Sequence, residues 1–188
     1  VKYMKYFIDV VLLFFALPLF LFFYPIISLL ILIFDGTPIL YSQLRVGLYG
    51  NEFKLYKFRT MSILSDDSVH QNHYENLSEN KKIEPSLTPD NPIRIENDDR
   101  ITKVGNILRK TSLDELPNII NVLIGNMSFV GPRPLVKYES DLYGKYLEER
   151  NSVKPGITGL AQIQGRLDLS LQERLYWDLQ YVKSKSFI

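Results

Sequence analysis

Two carboxylates stand side by side in Thr111-Ser112-Leu113-Asp114-Glu115-Leu116-Pro117, directly after Arg109 and Lys110. The arrangement has two compatible readings. Ser112 and Glu115 fit a capping box at a helix start, where acids also favour the positive end of the dipole. Adjacent acids behind two cations also suit chemistry on a phosphate. One carboxylate can attack phosphorus, and an Asp can hold Mg²⁺. Arg133, in Gly131-Pro132-Arg133-Pro134, is restricted by the prolines beside it and offers a planar fork that suits phosphate; the bland alternative is a rigid turn with a solvated arginine. Lys57 and Arg59, in Tyr56-Lys57-Phe58-Arg59-Thr60-Met61, would share one face of a strand, as phosphate contacts or as ordinary exposed charges. Lys154 to Arg166 holds three glycines and a proline, the material of special turns whose exposed amides can bind anions. His70 and His73 form an H-x-x-H pair with no third ligand nearby, which is weak as a metal site.

The elements that must position these residues follow from pattern. The segments Pro38 to Val46 and Phe53 to Met61 are rich in β-formers and flank a Gly47–Asn51 turn, so a hairpin is predicted. Helical spacing is predicted over 101–110, over 113–124 with Gly125 as the stop, over 135–149 and over 169–183. Residues 62–100 carry nine acidic and four basic groups with Pro85, Pro89 and Pro92, and read as a long solvated loop with room for short helical pieces. The chain of 188 residues has no cysteine, which excludes disulfides, thiolate metal sites and a cysteine nucleophile. Its net charge of +1 argues against a general nucleic-acid binder.

The mean hydropathy of −0.05 averages two unlike parts. Val10 to Phe34 is 25 residues without a charge, long enough for a helix to cross a hydrocarbon core of about 30 Å. It is too long for a usual signal peptide and no small-residue cleavage site follows. Pro18 and Pro25 disfavour a straight span, and basic residues flank both ends: Lys2 and Lys5 before, Arg45, Lys54, Lys57 and Arg59 after. The positive-inside rule then places both ends on the cytoplasmic side, which a re-entrant helix satisfies and a single crossing does not. From these residues alone both topologies stay open. A bend would free carbonyls that need local partners, with Ser28 a candidate.

Taken in order, the segments resemble one family. They are an apolar anchor; Arg45-x-Gly47 and Lys57-Phe58-Arg59-Thr60-Met61; Asp99-Arg100-Ile101-Thr102; Ser112-Leu113-Asp114-Glu115-Leu116-Pro117; Asn126 to Pro134; and Pro155-Gly156-Ile157-Thr158-Gly159-Leu160-Ala161-Gln162. This order resembles the bacterial sugar transferases, the monotopic phosphoglycosyl transferases, over nearly the whole chain. The resemblance implies an α+β fold: a re-entrant membrane helix (1–35) and a cytoplasmic catalytic domain (36–188) of amphipathic helices with a small β-hairpin, residues 62–97 being a variable loop. It implies transfer of sugar-1-phosphate from a UDP-sugar to undecaprenyl phosphate, the initiating membrane step of surface glycan synthesis, on the cytoplasmic face of the bacterial inner membrane.

By the same match Asp114 is the nucleophile that forms a covalent phosphosugar intermediate and also the ligand of Mg²⁺, and Glu115 supports it. Lys57, Arg59, Arg109 and Arg133 are the implied phosphate contacts, Gln162 and Arg166 are implied at the nucleotide or glycan, and Asp178 is a late aspartate near the site. The implied partners are the UDP-sugar, undecaprenyl phosphate and membrane lipid, with no nucleic acid; a homodimer is left open. The chain departs from the family at Tyr24, where Ser usually precedes the bend proline, at Asn118, often Gln, and in the length of 62–97. Extra N-terminal spans of larger members are expected to be absent. The expected helix after Phe187 is missing, which leaves the completeness of the C-terminus open. A catalytically silent nucleotide-sugar-binding module and a plain glycosyltransferase are the competing readings.

Overall fold

The apolar N-terminal run is one helix in the computed structural model, which describes residues 2–62, 68–78, 83–87, 93 and 98–184. Helix α1 (Lys2–Phe34) continues through Pro18 and Pro25. Much of its surface is exposed and apolar, including Phe14, Phe22 and Phe34. One side packs inward: Ile27 and Ile31 meet Phe58 and Leu108, and Leu13 lies on a cluster of Phe53, Leu55, Val122 and Met127. Polar contacts fasten both ends. Near the start Lys5 donates to the Tyr181 hydroxyl (2.8 Å), and Asp9 accepts from Ser128 Oγ (2.9 Å) and the Phe129 amide (3.0 Å). Just past the other end, Asp35 accepts from Thr102 Oγ1 (2.8 Å). Ser28 does not take the role expected of it: its buried hydroxyl makes no hydrogen bond.

The hairpin forms as expected, from β1 (Leu40–Val46) and β2 (Glu52–Phe58), paired antiparallel from Leu40↔Phe58 to Val46↔Glu52. Strand alternation sends Phe53, Leu55 and Lys57 to one face and Phe58 to the other. The inward apolar row of β2 therefore ends in a lysine. Asn121, fully buried, fixes this strand by donating to the Lys54 carbonyl (2.7 Å) and accepting from the Tyr56 amide (3.2 Å).

The segment read as a solvated loop is partly structural. It includes α2 (Ser68–Ser78), and Tyr74, Ile83 and Ile93 are buried with Leu135, Tyr143, Leu171 and Leu175 in a core cluster. His73 donates from Nε2 to the Ile93 carbonyl (3.1 Å), while the His70 side chain lies outside the described residues.

Helix α3 (Lys103–Thr111) is capped by Thr102, which accepts from the Gly105 amide (2.9 Å). The single helix predicted over 113–124 is two pieces: a 3₁₀ turn at Leu113–Glu115 and α4 (Asn118–Leu123). Ser112 stands at the N-cap position of the turn, but its side chain makes no capping hydrogen bond. It is left-handed (φ 58°, ψ 16°), its amide donates to the Arg109 carbonyl, and it ends α3 as well.

A second sheet, not expected from the sequence, pairs β3 (Ser128–Val130) with β4 (Gly156–Thr158) in parallel. The helix predicted over 135–149 is broken into α5 (Lys137–Asp141), a 3₁₀ turn at Gly144–Tyr146 and α6 (Leu147–Arg150). Gly144 at φ +47° makes the break, a conformation that L side chains rarely adopt. Helices α7 (Leu160–Gln164) and α8 (Leu171–Ser184) follow. Helix α8 buries Leu171, Leu175, Leu179 and Val182 as its pattern predicts, together with Arg174 and Asp178 on the same stripe. The mixture of helices with two small sheets agrees with the α+β expectation.

Candidate active site

A cleft of about 1050 Å³ opens between the hairpin, the 113–115 turn, the 131–134 loop and α7. Its floor is the charge cluster anticipated from sequence. Strand β2 delivers Lys57, and the left-handed Ser112 turns the chain so that Asp114 and Glu115 face it. Lys57 Nζ donates to Glu115 Oε1 at 2.6 Å and lies 3.7 Å from Asp114 Oδ2. Arg133 Nη1 donates to the same Glu115 oxygen at 3.2 Å. Arg109, from α3, lines the cleft and donates from Nε to Thr60 Oγ1 (2.9 Å).

The two carboxyls are shifted in opposite directions. Burial pushes Glu115 up, but Lys57 and Arg133 outweigh it and hold the carboxyl at about 2, so it is a fixed anion. Burial raises Asp114, which is only 8% exposed, and the negative Glu115 beside it adds to this; Lys57 and Arg109 pull the other way without cancelling it. Burial lowers Lys57, Arg133 adds like-charge repulsion, and the two acids oppose them. Among the described residues Asp114 accepts no hydrogen bond, whereas Glu115 binds two cations. The Glu115 of the expected capping box is thus a clamp on Lys57 and Arg133.

The other expected residues divide. Gln162 and Arg166 line the cleft, Gln162 with its amide nitrogen and oxygen both buried and without hydrogen bonds. Arg59 lines the cleft as well, with its guanidinium held by main-chain carbonyls: it donates to those of Thr37 (2.7 Å), Asp35 (2.5 Å) and Gly36 (2.8 Å), tying the end of α1 to the hairpin. Asp178 is buried against Arg150, outside the cleft lining. The glycines at 131, 156 and 159 serve close packing more than anion binding. A Cβ on Gly156 would meet the Gly131 nitrogen at 2.1 Å, and one on Gly159 the Gly131 carbonyl oxygen at 2.2 Å.

Sequence reasoning missed three cationic residues in the lining, Arg45, Arg100 and Arg174. Arg174 is 2% exposed and donates to the Tyr74 hydroxyl (3.3 Å). Its place on the apolar stripe of α8, three residues after Leu171 and directly before Leu175, is a signal that marks a charge pointing inward. Among the described residues, eight basic and three acidic side chains line the cleft, an arrangement suited to a ligand with more than one negative charge.

Among the described residues no cluster of three potential metal ligands occurs. The donors present nonetheless fit Mg²⁺, which takes one or two carboxylates and completes its shell with water and substrate phosphate oxygens. Asp114 supplies a carboxylate in the cleft that accepts no hydrogen bond from the described residues.

The model of the bacterial sugar transferase family matches residues 1–188. The chain is 42% identical over 165 residues to a UDP-galactose-lipid carrier transferase of Erwinia amylovora, covering 85% of this chain and 33% of that one. It is 43% identical over 150 residues to the undecaprenyl-phosphate galactose phosphotransferase of Salmonella typhimurium, covering 80% of this chain and 30% of the other. It is 39% identical over 168 residues to the UDP-glucose:undecaprenyl-phosphate glucose-1-phosphate transferase of Escherichia coli, covering 85% and 32%. The chain spans about a third of the length of these relatives.

Proposed function

The chain belongs to the bacterial sugar transferase family, and we propose that it moves a sugar-1-phosphate from a UDP-sugar to undecaprenyl phosphate through a covalent aspartyl intermediate, initiating assembly of a surface polysaccharide or glycoconjugate. The observation that carries this reading is the asymmetry of the two acids. Glu115 neutralises and orients Lys57 and Arg133, while Asp114 keeps its lone pairs available 3.7 Å from Lys57.

In the first displacement an Asp114 carboxylate oxygen attacks the sugar-bearing phosphorus of the donor. The bond from that phosphorus to the bridging oxygen breaks, and UMP leaves with the oxygen and its electron pair. In the second, a phosphate oxygen of the acceptor attacks the same phosphorus, the bond to Asp114 breaks, and the carboxylate is restored. Lys57, Arg109 and Arg133 stand where they can offset charge on the phosphoryl oxygens throughout. A buried carboxylate is poorly solvated, which makes Asp114 a better nucleophile than one in water. Mg²⁺ on Asp114, when bound, supplies further positive charge to the phosphate oxygens. Gln162, with an unsatisfied amide, offers hydrogen bonds to a neutral part of the donor, and Arg166 a charge at the rim.

Residues 1–35 serve as the anchor and 36–188 as the catalytic domain, in the inner membrane with the cleft facing the cytoplasm. Helix α1 is apolar enough to enter a bilayer. The re-entrant path is the reading its fastenings favour: Lys5, Asp9 and Asp35, from both ends of the apolar run, all hydrogen-bond to residues of 36–188.

The test is nucleotide release. Purified protein in nanodiscs is given UDP-sugars, Mg²⁺ and undecaprenyl phosphate, with Asp114→Asn beside it. The expected result is UMP from one donor, none from the variant, and a radiolabelled phosphosugar on the wild-type protein before acceptor is added. UDP in place of UMP would sink the mechanism, and silence across a broad donor panel would favour a binding module.

A further inference from the structure

An ion pair lies in the interior, outside the cleft lining: Arg150 is 2% exposed and Asp178 1%. Arg150 donates from Nε to Asp178 Oδ2 at 2.9 Å, and its Nη2 is 2.8 Å from the same oxygen. That Nη2 also donates to the main-chain carbonyl of Arg133 at 2.7 Å. A buried ion pair is weak support for stability, because removing two charges from water is costly. What this pair grips is therefore the informative part.

Residue 134 is proline, so the peptide between Arg133 and Pro134 has no N–H, and the Arg133 carbonyl is its one polar handle. Holding that carbonyl fixes the orientation of the peptide plane that follows Arg133. The neighbouring carbonyls are held too: Pro132 by the Gly156 amide (2.9 Å), Pro134 by Arg45 Nη1 (3.2 Å) and Leu135 by the Val46 amide (2.8 Å). The Arg133 side chain leaves this pinned loop to reach Glu115.

We propose that Asp178 and Arg150 are positioning residues for Arg133: Asp178 orients Arg150, Arg150 fixes the Arg133 carbonyl, and the loop presents the Arg133 guanidinium to a phosphate-bearing ligand. The inference rests on reading the cleft as a phosphate site and adds to that reading two residues that touch no ligand.

A double-mutant cycle tests it. Asp178→Asn keeps shape and an acceptor oxygen while removing the charge. Wild type, Asp178→Asn, Arg133→Gln and the double variant, all full chain in detergent, are compared for binding of inorganic pyrophosphate by calorimetry and for melting temperature. Asp178→Asn is expected to weaken pyrophosphate about tenfold in the wild-type background and less than about twofold with Arg133→Gln, since its effect passes through Arg133. The melting temperature should fall equally in both backgrounds. Equal weakening in both, undiminished binding by folded Asp178→Asn, or binding indifferent to Arg133→Gln would overturn the proposal. If Asp178→Asn does not fold, the pair Arg150→Met with Asp178→Leu leaves no lone buried charge and enters the same cycle. Pyrophosphate binding needs no turnover. A wild type that binds it through Arg133 yet releases no UMP defeats the transferase reading and leaves the positioning intact.

Discussion

Replacing Glu115 by Gln removes a charge whose worth can be worked from its ionisation. The carboxyl ionises at about 2 in the folded protein against an ordinary 4.5. That gap, at 1.36 kcal/mol per pH unit, amounts to about 3 kcal/mol of folding stability. The sign follows from which state binds the proton more readily. A depressed folded pKa stabilises the protein above the unfolded value of 4.5, and the contribution fades as pH falls towards 2. The side chain is only 20% exposed, so solvent screening removes little of it. Gln keeps the size and one acceptor oxygen for Lys57 and Arg133, and so mimics the protonated acid. Chemical denaturation in micelles, wild type beside Glu115→Gln, should give a gap of about 3 kcal/mol at pH 7 that narrows below pH 4.5. A gap of the same size at pH 7 and pH 3, or none at pH 7, would refute the clamp described for Glu115.

The acid limb of the pH–rate profile should follow Asp114, and Glu115→Gln should move it to lower pH, because Glu115 raises Asp114; rates of UMP release measured across the acid limb check the direction. Lys57→Met should move the same limb upward, since Lys57 is the largest influence lowering Asp114. Gly105→Ala places a Cβ 2.1 Å from the Thr60 carbonyl oxygen, so α3 must shift from the hairpin. A loss of about 1–3 kcal/mol in stability is expected, with activity reduced further because Arg109 is held to Thr60; a variant with wild-type melting would count against this contact.

Legibility from sequence depended on whether a residue's role was local. The hairpin and α8 were readable because strand and helix periods repeat within one segment. The cluster of Lys57, Asp114, Glu115 and Arg133 was named from residue type and resemblance, and these side chains do meet. The capping box read at Ser112 does not form, because Ser-x-x-Glu along the chain does not reveal that Glu115 is engaged by Lys57, 58 residues away, or that Ser112 closes α3 as it opens the next turn. The hold of the 35–37 carbonyls on Arg59 and of Arg150 on Asp178 was not legible, because those partners are distant along the chain. The glycines at 131 and 156 meet only through parallel pairing of distant strands.

Helix α1 is sewn to the rest of the fold near both ends, and one of its anchor points is β3, the strand that leads into the Arg133 loop. A domain on a tether would tumble, and its cleft would find a lipid headgroup only by rotational search. In the proposed membrane placement, the depth at which the helix settles in the bilayer would fix the height and heading of the cleft together, as a keel sets the trim of a hull. Severing it would also bare Phe58 and Leu108, which Ile27 and Ile31 now cover. Helix α1 is thereby a structural wall of the cleft-bearing unit, and a version made without it would be a different, stickier protein rather than the same fold set free.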